Sequence, residues 1–272
     1  MSAFICPICA SPLERSEKTY CCPNRHSYDI AREGYVHLLP ANRKHSADPG
    51  DDKAMVAARS RFLSGGWYAP LRDALCRLAL ARGSGAGTLL DAGCGEGYYT
   101  QGIAEVFQNA GYSLSVAGVD LSRPAVKLAA RRVPGGEFAV ASVYHLPAAD
   151  GWAGLLLCCF APMAAEEYAR VLRRGGVFLY VVPAREHLWE LKQVLYDRPY
   201  ENPEERIDYP GFALEEVVPV ETRLHLTGGE ALDLFRMTPY AWKTPREGVE
   251  RLAALPALDV TAAFRIHVFR RV

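Results

Sequence analysis

The 272-residue sequence predicts an α/β protein: a mostly parallel, doubly wound sheet preceded by a small N-terminal zinc-binding domain. Three observations predict it. Short, continuous apolar runs alternate with amphipathic stretches from residue 85 onward, as in a parallel sheet covered on both faces. A glycine-rich turn follows the first of those runs. Cys and His residues pair at metal-ligand spacing within the first 26 residues.

The first unit is residues 1–40. Cys6-Pro7-Ile8-Cys9 and Cys22-Pro23-Asn24-Arg25-His26 form a C-x2-C-x12-C-x3-H pattern. Two tight turns, each carrying two soft ligands, can close a tetrahedral Zn²⁺ site and stabilise a unit too small for its own core. Four protein ligands leave no open position, so the expected role is structural. Cys21 competes for the third place. Cys22 is preferred because Cys-Pro-x-x-His mirrors the turn of Cys-Pro-x-Cys, whereas a strand residue before it points elsewhere.

Residues 41–84 read as a linker with helices leading into the main domain. Asn42 to Lys53 is polar and holds Asp48-Pro49-Gly50-Asp51-Asp52, a loop signal. Helical patterns follow over Ala54–Leu63 and Leu71–Arg82. The main domain, 85–272, opens with the strand Thr88–Asp91 and a helix from about Tyr98. Leu114–Asp120, Phe138–Ala141, Leu155–Phe160 and Val177–Val182 read as further strands. Helices are expected over Pro124–Arg132 and Ala164–Leu172, with Arg173-Arg174-Gly175-Gly176 as a turn. Beyond them, Glu186–Tyr196 reads as a helix and Asp197–Pro210 as a loop. Thr222–Leu226 and Val260–Val268 alternate as strands, with a helix over Glu230–Phe235. Cys158 and Cys159 fall in an apolar strand and are expected to pack as small core side chains.

The most informative segment is Leu89-Leu90-Asp91-Ala92-Gly93-Cys94-Gly95-Glu96-Gly97. Glycines at this spacing let the chain turn tightly and approach a ligand closely. Glu96 stands where a pyrophosphate would be repelled, so a phosphate-free ligand with a cationic centre suits the loop better. The next strand ends at Asp120, whose carboxylate can accept both ribose hydroxyls of a nucleoside. Asp120 could equally cap the following helix, a task open to Ser122 as well.

The formal net charge is zero, which argues against a broad nucleic-acid groove while leaving room for a local basic patch. No run approaches the roughly 18 apolar residues that span a bilayer, and the N-terminus lacks a secretory pattern. Four of the eight Cys cluster before residue 23, which favours a metal site in a reducing cytosol over a disulfide scaffold.

The glycine motif, Asp120 and the Arg170–Gly176 turn resemble the class I S-adenosylmethionine-dependent methyltransferases, which implies a Rossmann-like sheet. Several segments narrow the resemblance: the zinc module, Ala31-Arg32-Glu33-Gly34-Tyr35-Val36-His37-Leu38-Leu39-Pro40, Asp48-Pro49-Gly50-Asp51, Cys94-Gly95-Glu96-Gly97-Tyr98-Tyr99 and Met237-Thr238-Pro239-Tyr240-Ala241-Trp242. Over nearly the whole chain they are similar to the RlmA-type bacterial 23S rRNA guanine-N1-methyltransferases. That resemblance implies methyl transfer to N1 of a guanine in a hairpin loop of 23S rRNA and often a homodimer, and the Cys pattern above places it in the cytoplasm. It implies zinc ligands at Cys6, Cys9, Cys22 and His26, and cofactor contacts at Tyr68, Gly95, Glu96 and His187. The glycine motif adds Asp91 and Gly93, and superfamily position adds Ser142 beside the adenine.

The loop Phe160-Ala161-Pro162-Met163 occupies the place where amino methyltransferases hold the target nitrogen, but it offers no acid or base. No catalytic base is named; His145 is the nearest guess. RNA contacts are expected from Lys18, Arg25, Arg32, Arg43, Lys44 and His45, with Tyr28 and Tyr35 as stacking partners. Two rivals remain: a small-molecule methyltransferase with a structural zinc module, and a non-enzymatic RNA binder that keeps a nucleoside site.

Overall fold

The computed structural model describes residues 2–40, 50–204 and 206–272. The expected RNA contacts Arg43, Lys44 and His45, the motif residues Asp48 and Pro49, and most of the polar stretch lie outside the described residues.

A three-stranded antiparallel sheet opens the chain: β1 (Glu14–Arg15), β2 (Thr19–Cys21) and β3 (Ser27–Asp29). Strand β4 (Tyr35–His37) leaves this unit and pairs in parallel with β7 (Glu137–Val140), at one edge of the main sheet. Helices α1 (Lys53–Ser64) and α2 (Ala69–Gly83) come next, followed by β5 (Thr88–Ala92), α3 (Tyr98–Asn109), β6 (Ser115–Asp120) and α4 (Arg123–Arg132). After β7 come β8 (Ala153–Cys159), α5 (Ala165–Val171), β9 (Leu172–Pro183) and α6 (Trp189–Leu195). The chain closes with β10 (Phe212–Thr227), α7 (Gly228–Arg236), α8 (Arg246–Ala253) and β11 (Ala257–Arg271).

The main sheet has eight strands in the order β10-β11-β9-β8-β5-β6-β7-β4. Only the β10–β11 and β11–β9 pairs are antiparallel. The chain works outward from β5 in both directions, so a crevice opens where β5 meets β8, at the carboxyl ends of the strands.

Side-chain alternation explains why these strands show no polar face. Leu89, Leu155, Val177 and Leu179 enter one apolar cluster. Their neighbours Leu90, Leu156, Cys158 and Phe178 enter the cluster on the opposite face. Each fully buried Leu contributes roughly 1.5–3 kcal/mol. Helix starts follow local chemistry: the Asp52 side chain accepts from Met55 N–H to begin α1, and Thr227 and Glu230 form a reciprocal capping box at α7.

Several elements differ from the sequence expectation. Arg173–Gly176 lies within β9, and the β8–β9 register shifts between Ala153 and Leu155. Helix α6 begins only at Trp189, because Leu188 takes a left-handed backbone (φ 57°) and donates its N–H to Thr261. The C-terminal hairpin is far longer than the two short strands expected. Most of β10 is an exposed edge with Pro219 in it, so its apolar signal is weak.

The zinc-sized unit is fastened to the sheet. Glu137, at the start of β7, accepts hydrogen bonds from Ser2 Oγ (2.6 Å), Tyr20 Oη (2.8 Å) and Ala3 N–H (3.1 Å). Ile5 N–H donates to the Pro147 carbonyl at 2.9 Å. Among the described residues no helix is long and apolar enough to cross a membrane.

Candidate functional site

A cavity of about 600 Å³ opens over the carboxyl ends of β5, β6 and β8. That volume suits a nucleoside-sized ligand. Its floor is the turn between β5 and α3. Gly93 and Cys94 both send their N–H groups to the Val119 carbonyl at 2.9 Å, so the turn folds back over β6. Gly93 has φ +87°, and a Cβ there would lie 2.4 Å from the Ala161 Cβ. Only glycine lets the post-β8 loop sit this close.

Asp120 stands at the tip of β6. Its Oδ2 accepts the Gly95 N–H at 2.9 Å and its Oδ1 the Ser122 N–H at 2.8 Å. Ser122 caps α4 through Ala125 N–H, so Asp120 is not the cap. Burial pushes the Asp120 carboxyl above its usual range, and the two backbone N–H groups oppose that shift. Each oxygen still has a free lone pair for a ligand hydroxyl.

Asp91 is buried beneath the turn. Its Oδ2 accepts from Thr100 Oγ1 at 2.5 Å, while Oδ1 has no hydrogen-bond partner among the described residues. Burial pushes this carboxyl up to about 7, and the Thr100 hydrogen bond opposes the shift. Glu96 is also buried and lines the cavity. Arg132 Nη1 lies 3.0 Å from its Oε1 in an ion pair. The repulsion expected of Glu96 toward phosphate is therefore partly offset by Arg132.

His187 lies in the turn between β9 and α6 rather than on the helix. Its Nδ1 accepts the Ala263 N–H at 3.1 Å, and burial pushes its pKa down to about 3. The ring is therefore neutral with its proton on Nε2, and it can donate from that atom. Tyr68 is buried with its ring edge-on to Phe62 (5.2 Å) and Phe264 (4.9 Å), and it reaches the same cavity. Ser142 is not among the lining residues; its Oγ accepts from Tyr144 N–H in a short 3₁₀ turn, and Val143 and Tyr144 reach the cavity instead. His145 is exposed and lies outside the cavity lining.

The sequence reading missed several walls. Gly50 and Asp51, read as loop, pack against the turn after Asp120, where Ser122 Oγ donates to the Asp51 carbonyl at 2.6 Å. Arg59 on α1 pairs with Asp51 and donates to the Met237 carbonyl at 3.1 Å, closing that side. Asn202 comes from the 197–210 loop, held by Lys192 Nζ at 2.8 Å. Tyr99 presents to the same space a buried hydroxyl with no hydrogen-bond partner among the described residues. Phe160 has φ 58°, a backbone costing about 1–3 kcal/mol for a non-glycine residue. Of these, Gly50-Asp51, Tyr99, Phe160 and Met237 stand in segments the sequence had singled out; Arg59 and Asn202 carry no local signal.

At the N-terminus, Cys6, Cys9, Cys22 and His26 bring their ligand atoms within 4.8 Å of one another. The Cys9–Cys22 sulfurs are 3.7 Å apart, and His26 Nδ1 lies 3.3 and 3.5 Å from the sulfurs of Cys22 and Cys6. A tetrahedral zinc has edges of roughly 3.8 Å between sulfurs and 3.5 Å from sulfur to nitrogen, so this donor set fits it. Each turn contains a left-handed residue, Ala10 (φ 56°) just after Cys9 and Arg25 (φ 65°) just before His26. Cys21 points to the exposed side, toward Ser27. Tyr28 is half-buried with its hydroxyl 3.1 Å from Cys6 Sγ, and buried Tyr35 accepts from Arg123. Burial takes Tyr35 out of reach of RNA, whereas Lys18, Arg25 and Arg32 are exposed.

Comparison with known proteins agrees with this two-part construction. The RlmA N-terminal zinc-ribbon family matches residues 4–47, and a methyltransferase-domain family matches residues 89–176. The chain is 38% identical over 275 residues to a 23S rRNA (guanine(748)-N(1))-methyltransferase of Streptomyces fradiae, covering 97% of this chain and 95% of that protein. It is 35% identical to a candidate 23S rRNA (guanine-N1)-methyltransferase of Micromonospora griseorubida, covering 97% and 96%. Among solved structures, a candidate methyltransferase of Bacillus halodurans matches the fold with a TM-score of 0.50 at 17% identity, covering 72% of this chain and 97% of that one. With a zinc ribbon fastened to a glycine-turn cavity and this full-length similarity, the chain belongs to the RlmA-type family of S-adenosylmethionine-dependent 23S rRNA (guanine-N1)-methyltransferases.

Proposed function

We propose that the protein transfers the methyl group of S-adenosylmethionine to N1 of a guanine in a hairpin loop of 23S rRNA. The observation that carries this reading is the similarity to the Streptomyces fradiae enzyme, which runs through ribbon and catalytic domain alike. A small-molecule methyltransferase needs no such ribbon. S-adenosylmethionine supplies an electrophilic methyl group on a sulfonium sulfur.

The chain's own residues bind and orient. Asp120 accepts the ribose hydroxyls with the lone pairs left over from Gly95 and Ser122. Neutral His187 donates from Nε2, and its low pKa keeps a second positive charge away from the sulfonium. Tyr68 packs against the ligand as an apolar wall. The tight Gly93–Ala161 approach sets the post-β8 loop beside the transferred methyl, where the acceptor nitrogen must arrive in line. Such positioning is worth several kcal/mol. The N1 proton must leave before or during attack.

On the ribbon, exposed Lys18, Arg25 and Arg32 can meet phosphates, and the zinc held by Cys6, Cys9, Cys22 and His26 keeps that surface in shape. The family resemblance carries a homodimer as well, whose mass sedimentation at working concentration reads, and the clustered Cys residues favour the reducing cytoplasm. The deciding experiment incubates the protein with labelled cofactor and unmodified 23S rRNA, then maps stops by primer extension. A discrete stop at a loop guanine is expected. Label on a metabolite and none on RNA would replace this reading with the small-molecule one.

A further inference from the structure

Three large rings are exposed at the mouth of the cavity. Tyr144 is 54%, Phe160 47% and Trp242 66% solvent-accessible, and all three line the same opening. They come from three separate places in the chain: the 3₁₀ turn after β7, the loop after β8 and the short helix Pro239–Trp242 after α7. Large apolar side chains left in water by independent elements around one opening mark a binding surface.

Phe160 adds a second observation. A bulky residue in the left-handed region is costly, and here that backbone accompanies a half-exposed ring. The ring leans on Phe264 (5.5 Å) and Tyr99 (6.4 Å), so its inner side is supported while its outer side is open. Trp242 follows Met237 and Thr238, which line the cavity, and Arg59 holds the Met237 carbonyl.

The occupant follows from the reaction. Guanine N1 lies on the Watson–Crick edge, occupied by the partner base in any Watson–Crick pair, and within a stack the neighbouring bases stop a protein cavity from closing around it. To reach a methyl group inside the cavity, the base must leave its stack and present that edge inward. Both of its faces are then exposed to water unless the protein covers them. Aromatic side chains perform this task for single-stranded RNA without demanding sequence.

We propose that Phe160 and Trp242 form a stacking slot for the unstacked target guanine, and that Tyr144 supplies a third ring to the same loop. This rests on the rRNA reading above and names the residues that select an unpaired base. Zinc and ribbon contacts play no part in it.

The test compares single-turnover methyl transfer to unmodified 23S rRNA for the wild type, Trp242→Ala, Trp242→Phe and Phe160→Ala. Cofactor affinity is measured by calorimetry on the same preparations. Losing one base–ring stack should lower kcat/KM for RNA about tenfold in each Ala variant. Trp242→Phe should recover most of that loss, and cofactor affinity should stay within about twofold, which also shows that the variants are folded. Trp242→Ala and Phe160→Ala methylating RNA at the wild-type rate overturn the slot. An equal loss of cofactor affinity also overturns it, by moving the rings to the cofactor side. Wild-type protein that binds cofactor yet never labels RNA overturns the rRNA reading, and the slot with it.

Discussion

Gly95 donates its backbone N–H to the Asp120 carboxylate at 2.9 Å, tying the glycine turn to the tip of the neighbouring strand across the cavity floor. The side chain proposed to grip the ribose therefore also sets the shape of the turn. Asp120→Ala removes a charged acceptor and leaves the Gly95 and Ser122 N–H groups without it. Hydrogen bonds to charged groups are worth about 1.5–3 kcal/mol. We expect cofactor affinity to fall at least tenfold by calorimetry, with a smaller fall in melting temperature. Unchanged affinity would remove Asp120 from the ribose.

Asp91 and His187 give opposite pH dependences. The Asp91 carboxyl is raised to about 7 in the fold, so it binds a proton that the unfolded chain has lost. Its contribution is full below about pH 4 and disappears as pH rises to 7. His187 is depressed to about 3, so the unfolded chain binds the proton first; its contribution is present above about pH 6.5 and is lost as pH falls. Asp91→Asn keeps an acceptor for Thr100 and removes the first slope. Urea titrations should show it gaining on wild type from pH 4 to 7, by up to roughly 4 kcal/mol for a fully developed shift. A stability difference that does not change with pH would refute this account of Asp91.

Cys6→Ser should release zinc, read by metal analysis. Methylation of RNA should fall much further than cofactor affinity, because the four ligands shape the ribbon and not the cavity. Equal losses would mean that the ribbon is needed to fold the catalytic domain.

Glu137 is the fastener between those two parts. Glu137→Ala leaves the Ser2, Ala3 and Tyr20 donors without an acceptor, at about 1–3 kcal/mol for a buried group. We expect a lower melting temperature and faster hydrogen exchange in the ribbon strands, with zinc retained. Exchange unchanged there would show that the β4–β7 pairing and the Ile5–Pro147 contact hold the module without Glu137.

Gly93→Ala tests the approach of the post-β8 loop. Its added Cβ meets Ala161 at 2.4 Å in a backbone that already disfavours side chains. Turnover should fall more than cofactor affinity, since the displaced loop is the proposed acceptor side. A reversed order of losses would assign the loop to the cofactor.

The linear sequence carried whatever depends on neighbours in the chain. Apolar runs declared the buried strands Leu89-Leu90 and Leu155-Leu156-Leu157, because a sheet covered on both faces requires them. Ligand spacing declared the ribbon, because a tetrahedral metal limits how far apart two pairs can be. The glycine turn declared the cavity's floor, since only glycine allows the close backbone approach.

Tertiary structure alone decided what depends on distant segments meeting. Asp51, Arg59 and Met237 become one wall only when α1 packs beside α7. Tyr35, a ring that looked available for RNA, is buried and accepts from Arg123, while Tyr28 aims its hydroxyl at Cys6. Phe160 and Trp242 reach one opening from residues more than eighty positions apart, and no local pattern can encode that. Hydrophobicity and spacing act along the chain, whereas the walls and rim of a cavity are set by which surfaces pack together.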